Sequence, residues 1–145
     1  MKKVLAVCLV LILLMGMTAC EDTAVTMDMQ AVYSDICSTV QVPDMLTLNE
    51  SLMLDYCGIR AEDVVQVVVV VRADSLRTDE IWLLEAKDAA AAEKLMTLAQ
   101  KRLTKKGEES ITYSPAQYAV VEKAQLLREG NCIALLVSPD SEAMA

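Results

Sequence analysis

The 145-residue sequence has no histidine and no phenylalanine, and it contains only one tryptophan, three prolines and four glycines. Histidine is the commonest general base and the commonest metal ligand, so its absence removes the usual route to both kinds of site. No CxxC spacing is present, which argues against a zinc site. Without phenylalanine, aliphatic side chains must build almost all of the core. We therefore predict no metal and no cofactor.

Basic side chains are also scarce, 13 against 21 acidic ones, for a formal net charge of −8. Lys2 and Lys3 are the only charged residues in 1–19, so the remaining 126 residues carry 11 basic side chains and a net charge of −10. This excess of negative charge disfavours nucleic acid and anionic lipid as partners. A length of 126 residues suits a single domain with a real core.

The beginning of the chain carries an export motif. Two lysines precede an unbroken apolar run from Val4 to Met15, and the motif Met17–Cys20 follows. The apolar run is shorter than the ~20 residues of a membrane span and is typical of a secretory signal peptide. The order apolar, small, small, cysteine is that of a lipobox. We therefore predict a lipoprotein signal peptide over residues 1–19 and lipidation of Cys20.

An ordinary signal peptide and an uncleaved anchor are the alternative interpretations of this segment. Two or three lipid chains on Cys20, palmitate among them, would anchor the protein stably, since a single acyl chain is marginal. We expect a protein on the extracytoplasmic face of the cell membrane, with the membrane as a partner through this lipid. Residues 20–27 would form a polar tether.

Three further cysteines, Cys37, Cys57 and Cys132, follow the predicted anchor. Export permits disulfides, and Cys37–Cys57 is the most plausible pair. The favoured interpretation is that these small apolar thiols fill positions in the core, and whether Cys37 and Cys57 pair is left open.

Apolar spacing and capping residues predict four helices. They cover approximately 29–39, Asn49–Tyr56, Ala89–Lys106 and 115–122. Asp28, Asp88 and Ser114 are expected as N-caps, and Gly58 and Gly107 as the residues that end the second and third helices. The side chains expected to point inward from the first two are Met29, Val32, Ile36, Val40, Leu52 and Tyr56, with Met53 as a further candidate.

The fourth helix has the clearest local pattern. Pro115 follows the N-cap Ser114 at the first helical position, and Gln117 is expected to complete a capping box. Tyr113 and Tyr118 have the spacing of a hydrophobic staple across the cap.

Two hairpins are predicted. The β-branched run Val64–Arg72 pairs with Glu80–Ala86, and Gln125–Arg128 pairs with Cys132–Ser138 around a Gly-Asn turn. Helices that alternate with hairpins indicate an α+β domain over residues 28–138. We expect a mostly antiparallel sheet of about four strands with helices packed on one face, and a flexible tail over 139–145.

Candidate chemistry is sparse. The acid pairs Asp79-Glu80 and Glu108-Glu109 are expected to be solvated turn residues. Adjacent residues on a strand point to opposite faces, so such neighbours make a poor acid–base pair. The helix end at 101–106 carries Lys101, Arg102, Lys105 and Lys106, which could bind phosphate or anionic lipid; a solvated helix end is the favoured interpretation. Trp82 is expected in the core rather than as a ligand platform. We predict no catalytic residue.

Five features follow one another along the chain. They are a lipobox, a strand that begins Asp79–Ile81, a basic-ended helix, the segment Tyr113–Tyr118 and a Gly130-Asn131 turn. This set resembles a family of small lipoproteins, mostly from Gram-positive bacteria, that carry a domain of unknown function of the DUF4358 type. The resemblance covers about residues 32–138, and it departs at Cys132, where members often have an aromatic residue. It implies a location and a fold class but no mechanism.

The sequence thus predicts a membrane-anchored extracytoplasmic lipoprotein that acts as a non-enzymatic binding or accessory module for an envelope protein. The alternative function is a small cell-envelope enzyme of the hydrolase type, with an unrecognised carboxylate or thiol site.

Overall fold

The structure is a computed structural model that describes residues 27–145, so Cys20 and the predicted signal peptide lie outside the described residues. The elements in chain order are α1 Met29–Thr39, β1 Met45–Thr47, α2 Glu50–Cys57, a 3-10 turn Ala61–Asp63, β2 Val64–Arg72, β3 Glu80–Ala86, α3 Ala89–Tyr113, α4 Pro115–Glu122, β4 Gln125–Glu129, β5 Cys132–Val137 and α5 Ser141–Met144.

The sheet has five strands in the order β1-β2-β3-β5-β4, and every neighbouring pair is antiparallel. Both predicted hairpins, β2–β3 and β4–β5, are confirmed, as is the α+β class. The fifth strand is β1, which extends the sheet at the outer edge of β2. Its three residues are too few for an alternating pattern to be recognised in the sequence.

Helices cover both faces of the sheet, so the expectation of helices on one face is wrong. Val69 points into a core beneath α2, α3 and α4, whereas Val68 and Val70 point into a second core beneath α1. The physical reason lies in β2, whose nearly continuous valines are apolar on both faces and therefore need cover on both.

The predicted N-caps Asp28, Asp88 and Ser114 and the helix-ending Gly58 are confirmed. The Asp28 side chain accepts from the N–H groups of Gln30 and Ala31 at the start of α1. Asp88 caps α3 in the same way, and Gly58 ends α2 with a left-handed φ of 72°. Each of these positions depends on a few neighbouring residues, which is why sequence alone locates them.

Two details of the helices correct the predictions. In α2, Met53 and Cys57 are buried, which leaves Leu52 and Tyr56 on the neighbouring, exposed face. In α3, the helix continues through Gly107 to Tyr113. A helical glycine costs about 1 kcal/mol, and here Gly107 lies against Tyr118 and Val121 of α4.

Part of the segment predicted as a flexible tail forms regular structure. Residues 141–144 form the short helix α5, and Ser141 is fully buried. Its hydroxyl donates a hydrogen bond of 2.6 Å to the carbonyl oxygen of Lys123. The tail is therefore tied to the end of α4.

The candidate pair Cys37–Cys57 forms no disulfide, since both residues are free thiols. Cys37 is exposed on α1, while Cys57 is buried in the core on the opposite face of the sheet. The favoured interpretation, that thiols fill the core, holds for Cys57. No helix within residues 27–145 combines the length and the apolarity that crossing a membrane requires.

Candidate functional site

Glu80 is a buried carboxylate at the start of β3. Alternation along the strand places it on the same face as Trp82 and Leu84, and its exposed fraction is 0%. The indole Nε1 of Trp82 donates a hydrogen bond of 2.6 Å to Glu80 Oε1. The prediction that Glu80 is a solvated turn acid is therefore wrong, whereas the prediction that Trp82 belongs to the core is confirmed.

Two basic side chains of α3 meet this carboxylate. Arg102 donates from Nε to Oε1 at 3.0 Å and from Nη2 to Oε2 at 2.8 Å, and Lys106 Nζ lies 2.8 Å from Oε2. Arg102 and Lys106 are four residues apart, on the same side of α3 as the buried Leu95 and Ala99. The solvated-end interpretation is wrong for these two cations, although Lys101 and Lys105 are exposed as expected.

The electrostatics of this cluster favour three charged groups. Burial by itself would raise the pKa of Glu80, but the hydrogen bonds from Arg102 and the charges of Lys106 and Arg102 hold that pKa below its ordinary value. Burial would likewise lower the pKa of Arg102, yet Glu80 raises it overall. No buried side-chain polar atom in the described part of the chain lacks a hydrogen-bond partner. The cluster is therefore fully satisfied and fixed in place.

The same cluster holds the loop 73–79 that joins β2 to β3. Lys106 Nζ donates to the carbonyl oxygen of Thr78 at 2.9 Å. The N–H and the hydroxyl of Thr78 donate to Gln117 Oε1 at 3.0 and 3.1 Å. Gln117 thus ties α4 to the loop. Its N–H donates to the Ser114 hydroxyl, as a cap requires, but its side chain does not complete the predicted capping box.

A groove of about 1020 Å³ opens above this ion cluster. Its walls are β1, α2, the loop 73–79, the second half of α3 and the start of α4. Of the ten large apolar side chains that are exposed within residues 27–145, five lie along it, namely Leu46, Leu52, Tyr56, Leu76 and Tyr113. Leu76 and Tyr113 are 81% and 85% exposed. Tyr113 therefore forms no hydrophobic staple, and the groove concentrates exposed apolar side chains that elsewhere occur singly.

The groove is also locally basic in an acidic protein. Its lining contains five basic side chains, Arg72, Arg77, Arg102, Lys105 and Lys106, and two acidic ones, Asp79 and Glu109. Counting Glu80 beneath them, the local balance is two positive charges. Glu109, predicted to be in a loop, lies on α3, where it pairs with Lys105 at 3.8 Å.

Sequence reasoning missed the ion cluster, although two signals point to it. Glu80 shares the strand face of Trp82, whose burial was predicted. Arg102 and Lys106 follow Leu95 and Ala99 at helical spacing, so they continue the buried side of α3. Reading the two periodicities together would have placed one acid and two bases in the same core.

Two thiols of the described segment, Cys57 and Cys132, are poorly suited to nucleophilic chemistry. Burial, and then the negative charge of Glu80, raise the pKa of Cys57 to about 12, so its thiol stays protonated at neutral pH. Burial and the nearby Glu85 and Glu129 also raise the pKa of Cys132. Within residues 27–145, no group of three or more Cys, Asp or Glu side chains is arranged to hold a metal ion.

Comparison with known proteins adds a family but no activity. A family model described as "Domain of unknown function (DUF4358)" matches residues 38–138, which is most of the described chain. No match is found among curated proteins or among solved structures.

Proposed function

The chain belongs to the DUF4358 family of domains of unknown function, and from that premise we propose that it is a membrane-tethered, extracytoplasmic binding module. Its partner is an envelope protein that it holds in the groove above Glu80. The motif Met17–Cys20 supports the tether, since a lipid on Cys20 would leave only a few residues before α1. The domain would then work close to the membrane surface.

The observation that carries the proposal is the concentration of exposed apolar side chains along one groove. Exposed apolar residues scattered singly are normal on a protein surface, but contiguous patches mark binding sites. Here the patch lies over a rigid base, because Arg102 and Lys106 are held by the buried Glu80. A groove that is already formed loses little entropy when a partner binds.

The hydrolase alternative has weaker support. A thiol nucleophile needs a low pKa or an adjacent base, and the pKa of Cys57 is raised to about 12. Lys106 Nζ is already engaged by Glu80 Oε2 at 2.8 Å and by the carbonyl oxygen of Thr78 at 2.9 Å. The carboxylate of Glu80 is enclosed by Trp82, Arg102 and Lys106, so it presents no free lone pair to a substrate.

Site-specific photocrosslinking in intact cells tests the binding module. A photoreactive phenylalanine derivative replaces Tyr113, which lines the groove. Ile111 is the matched control position, since it is exposed on the same helix and does not line the groove. We expect one crosslinked envelope protein from position 113 and none from position 111.

A surface substitution completes the experiment. Leu76→Asp changes a groove residue that is 81% exposed, so it should leave the unfolding transition unchanged and abolish the crosslink from position 113. Equal crosslinking from both positions, or a crosslink that survives Leu76→Asp, would show that the groove is not the binding surface.

A further inference from the structure

The groove borders an open edge of the sheet. Strand β1 is the outermost strand, and both Leu46 and Leu48 line the groove. Two hydrogen bonds connect the ends of this strand to the β2 side. The carbonyl oxygen of Asp44 accepts one at 3.3 Å, and the N–H of Leu48 donates the other at 2.9 Å. Because bonding direction alternates along an antiparallel strand, the backbone groups of Met45 and Thr47 point away from the sheet. An extended peptide can pair with them.

The cations of the groove divide into two kinds. Arg102 and Lys106 are engaged by Glu80, and Lys105 pairs with Glu109. Arg72 and Arg77 also line the groove, and neither side chain has an ion pair or a hydrogen bond to another residue in the range 27–145. Arginine binds carboxylates through paired N–H groups, so these two are suited to an acidic ligand.

The net charge of the whole chain favours one kind of acidic ligand, a protein segment, over an anionic membrane. Residues 20–145 carry a net charge of −10, so an extended anionic bilayer would face mostly acidic protein surface. A single acidic segment of a protein can instead meet the local positive charge of the groove alone. Charge complementarity therefore favours a peptide over a lipid surface.

We propose that the groove recognises an extended acidic segment of its partner protein, one in which carboxylates alternate with large apolar side chains. This inference rests on the proposed function and specifies its ligand. The segment adds a strand to β1 through the outward groups of Met45 and Thr47. Its apolar side chains cover Leu46 and Tyr56, and its carboxylates pair with Arg72 and Arg77.

Fluorescence anisotropy with the full-length protein in phosphatidylcholine nanodiscs tests this ligand. The probe is a fluorescein-labelled peptide of alternating glutamate and leucine. One matched peptide has lysine in place of glutamate, and another has serine in place of leucine. We expect measurable binding of the first peptide only. Equal binding of the glutamate and lysine peptides would overturn the inference.

Substitutions test whether the peptide binds through the two arginines and through the edge of β1. Arg72→Gln and Arg77→Gln should each raise Kd about tenfold, as expected for one lost charge-assisted hydrogen bond. Lys101→Gln removes the same charge from an exposed position that does not line the groove, and it should leave Kd unchanged. Thr47→Pro removes an outward donor at an edge where proline is tolerated, and it should also weaken binding.

The remaining outcomes separate the ligand from the site. If the protein bound phosphatidylglycerol vesicles through Arg72 and Arg77 and ignored the peptide, the ligand would be a lipid and the peptide inference would fail. A crosslink from position 113 that is unchanged in the Arg72→Gln, Arg77→Gln double variant would also refute the acidic ligand while leaving the binding module intact. Concentration-dependent dimers that the peptide does not dissociate would mean that a second copy occupies β1.

Discussion

Arg102 holds the carboxylate of Glu80 with both oxygens engaged, through contacts of 3.0 Å from Nε and 2.8 Å from Nη2. This pair joins β3 to α3 beneath the groove, so it links the sheet to the wall that carries Tyr113. A buried ion pair is weak evidence for stability, because desolvation of the charges opposes their attraction. Its clearer effect here is geometric, since it fixes α3 and the loop 73–79 on either side of the groove.

The first prediction concerns the loss of this carboxylate. Glu80→Ala leaves Arg102 and Lys106 buried without a counter-charge, and we expect it to lower the free energy of unfolding by about 3–5 kcal/mol. Urea denaturation measures the change. Glu109→Ala is the control, since its exposed pair with Lys105 should contribute less than about 1 kcal/mol. Equal effects of the two substitutions would mean that Glu80 is not buried.

The second prediction is a loss of stability in acid. The native pKa of Glu80 lies below the ordinary value of 4.5, so the unfolded chain takes up a proton first as the pH falls. The contribution of Glu80 is therefore fully present above pH 4.5 and is lost as the pH falls towards the native pKa. Urea denaturation at a series of pH values should show a shallower decline for Glu80→Gln than for the wild type. Parallel declines would contradict a lowered pKa.

The third prediction uses two valines of one strand. Val69 is 1% exposed and Val65 is 64% exposed, although both lie on β2. Val69→Asp buries a charge without a partner and should unfold the domain, whereas Val65→Asp should remain folded. Circular dichroism and thermal unfolding distinguish the two. A cooperatively folding Val69→Asp protein would show that this part of β2 is not in the core.

Local patterns predicted much of this fold. Asp28, Asp88 and the first residues of α4 could be located because a cap depends on three or four neighbouring residues. The hairpin β2–β3 followed from a short connection between two apolar runs. The placement of α1 on the second face could not be predicted in this way, because it depends on which element covers each side of β2.

The groove could not be predicted from local patterns either, because it depends on how distant elements pack together. Leu76 and Tyr113 are far apart in the chain, and both are ordinary loop or helix residues until α3 packs beside the loop 73–79. Gly107 was expected to end α3, which would have removed Tyr113 from the helix. The buried Glu80 was hidden by its neighbour Asp79, since two adjacent acids before a strand usually indicate a solvated turn.

The fourth prediction concerns the start of α4. Ser114→Ala removes the hydroxyl that accepts from the N–H of Gln117, and we expect it to cost about 1 kcal/mol. Pro115→Ala should cost less, whereas Val121→Pro disrupts the helix interior and should cost about 3 kcal/mol or more. The midpoint of urea denaturation should therefore be highest for Pro115→Ala, lower for Ser114→Ala and lowest for Val121→Pro. Equal midpoints for all three variants would show that no helix begins after Ser114.

The last prediction tests the anchor on which the proposed location depends. The motif Met17–Cys20 ends the apolar run, and a lipid on Cys20 requires its thiol. Cells that express the protein should incorporate labelled palmitate into the wild type and into Cys37→Ala, but not into Cys20→Ala. The unlipidated variant should also leave the membrane fraction, because lipid chains supply the hydrophobic anchoring and the acidic domain has no electrostatic attraction to anionic lipid. Label that persists in Cys20→Ala would mean that another residue carries the lipid. A variant that loses the label but stays with the membrane would show that residues 1–19 themselves act as an uncleaved anchor.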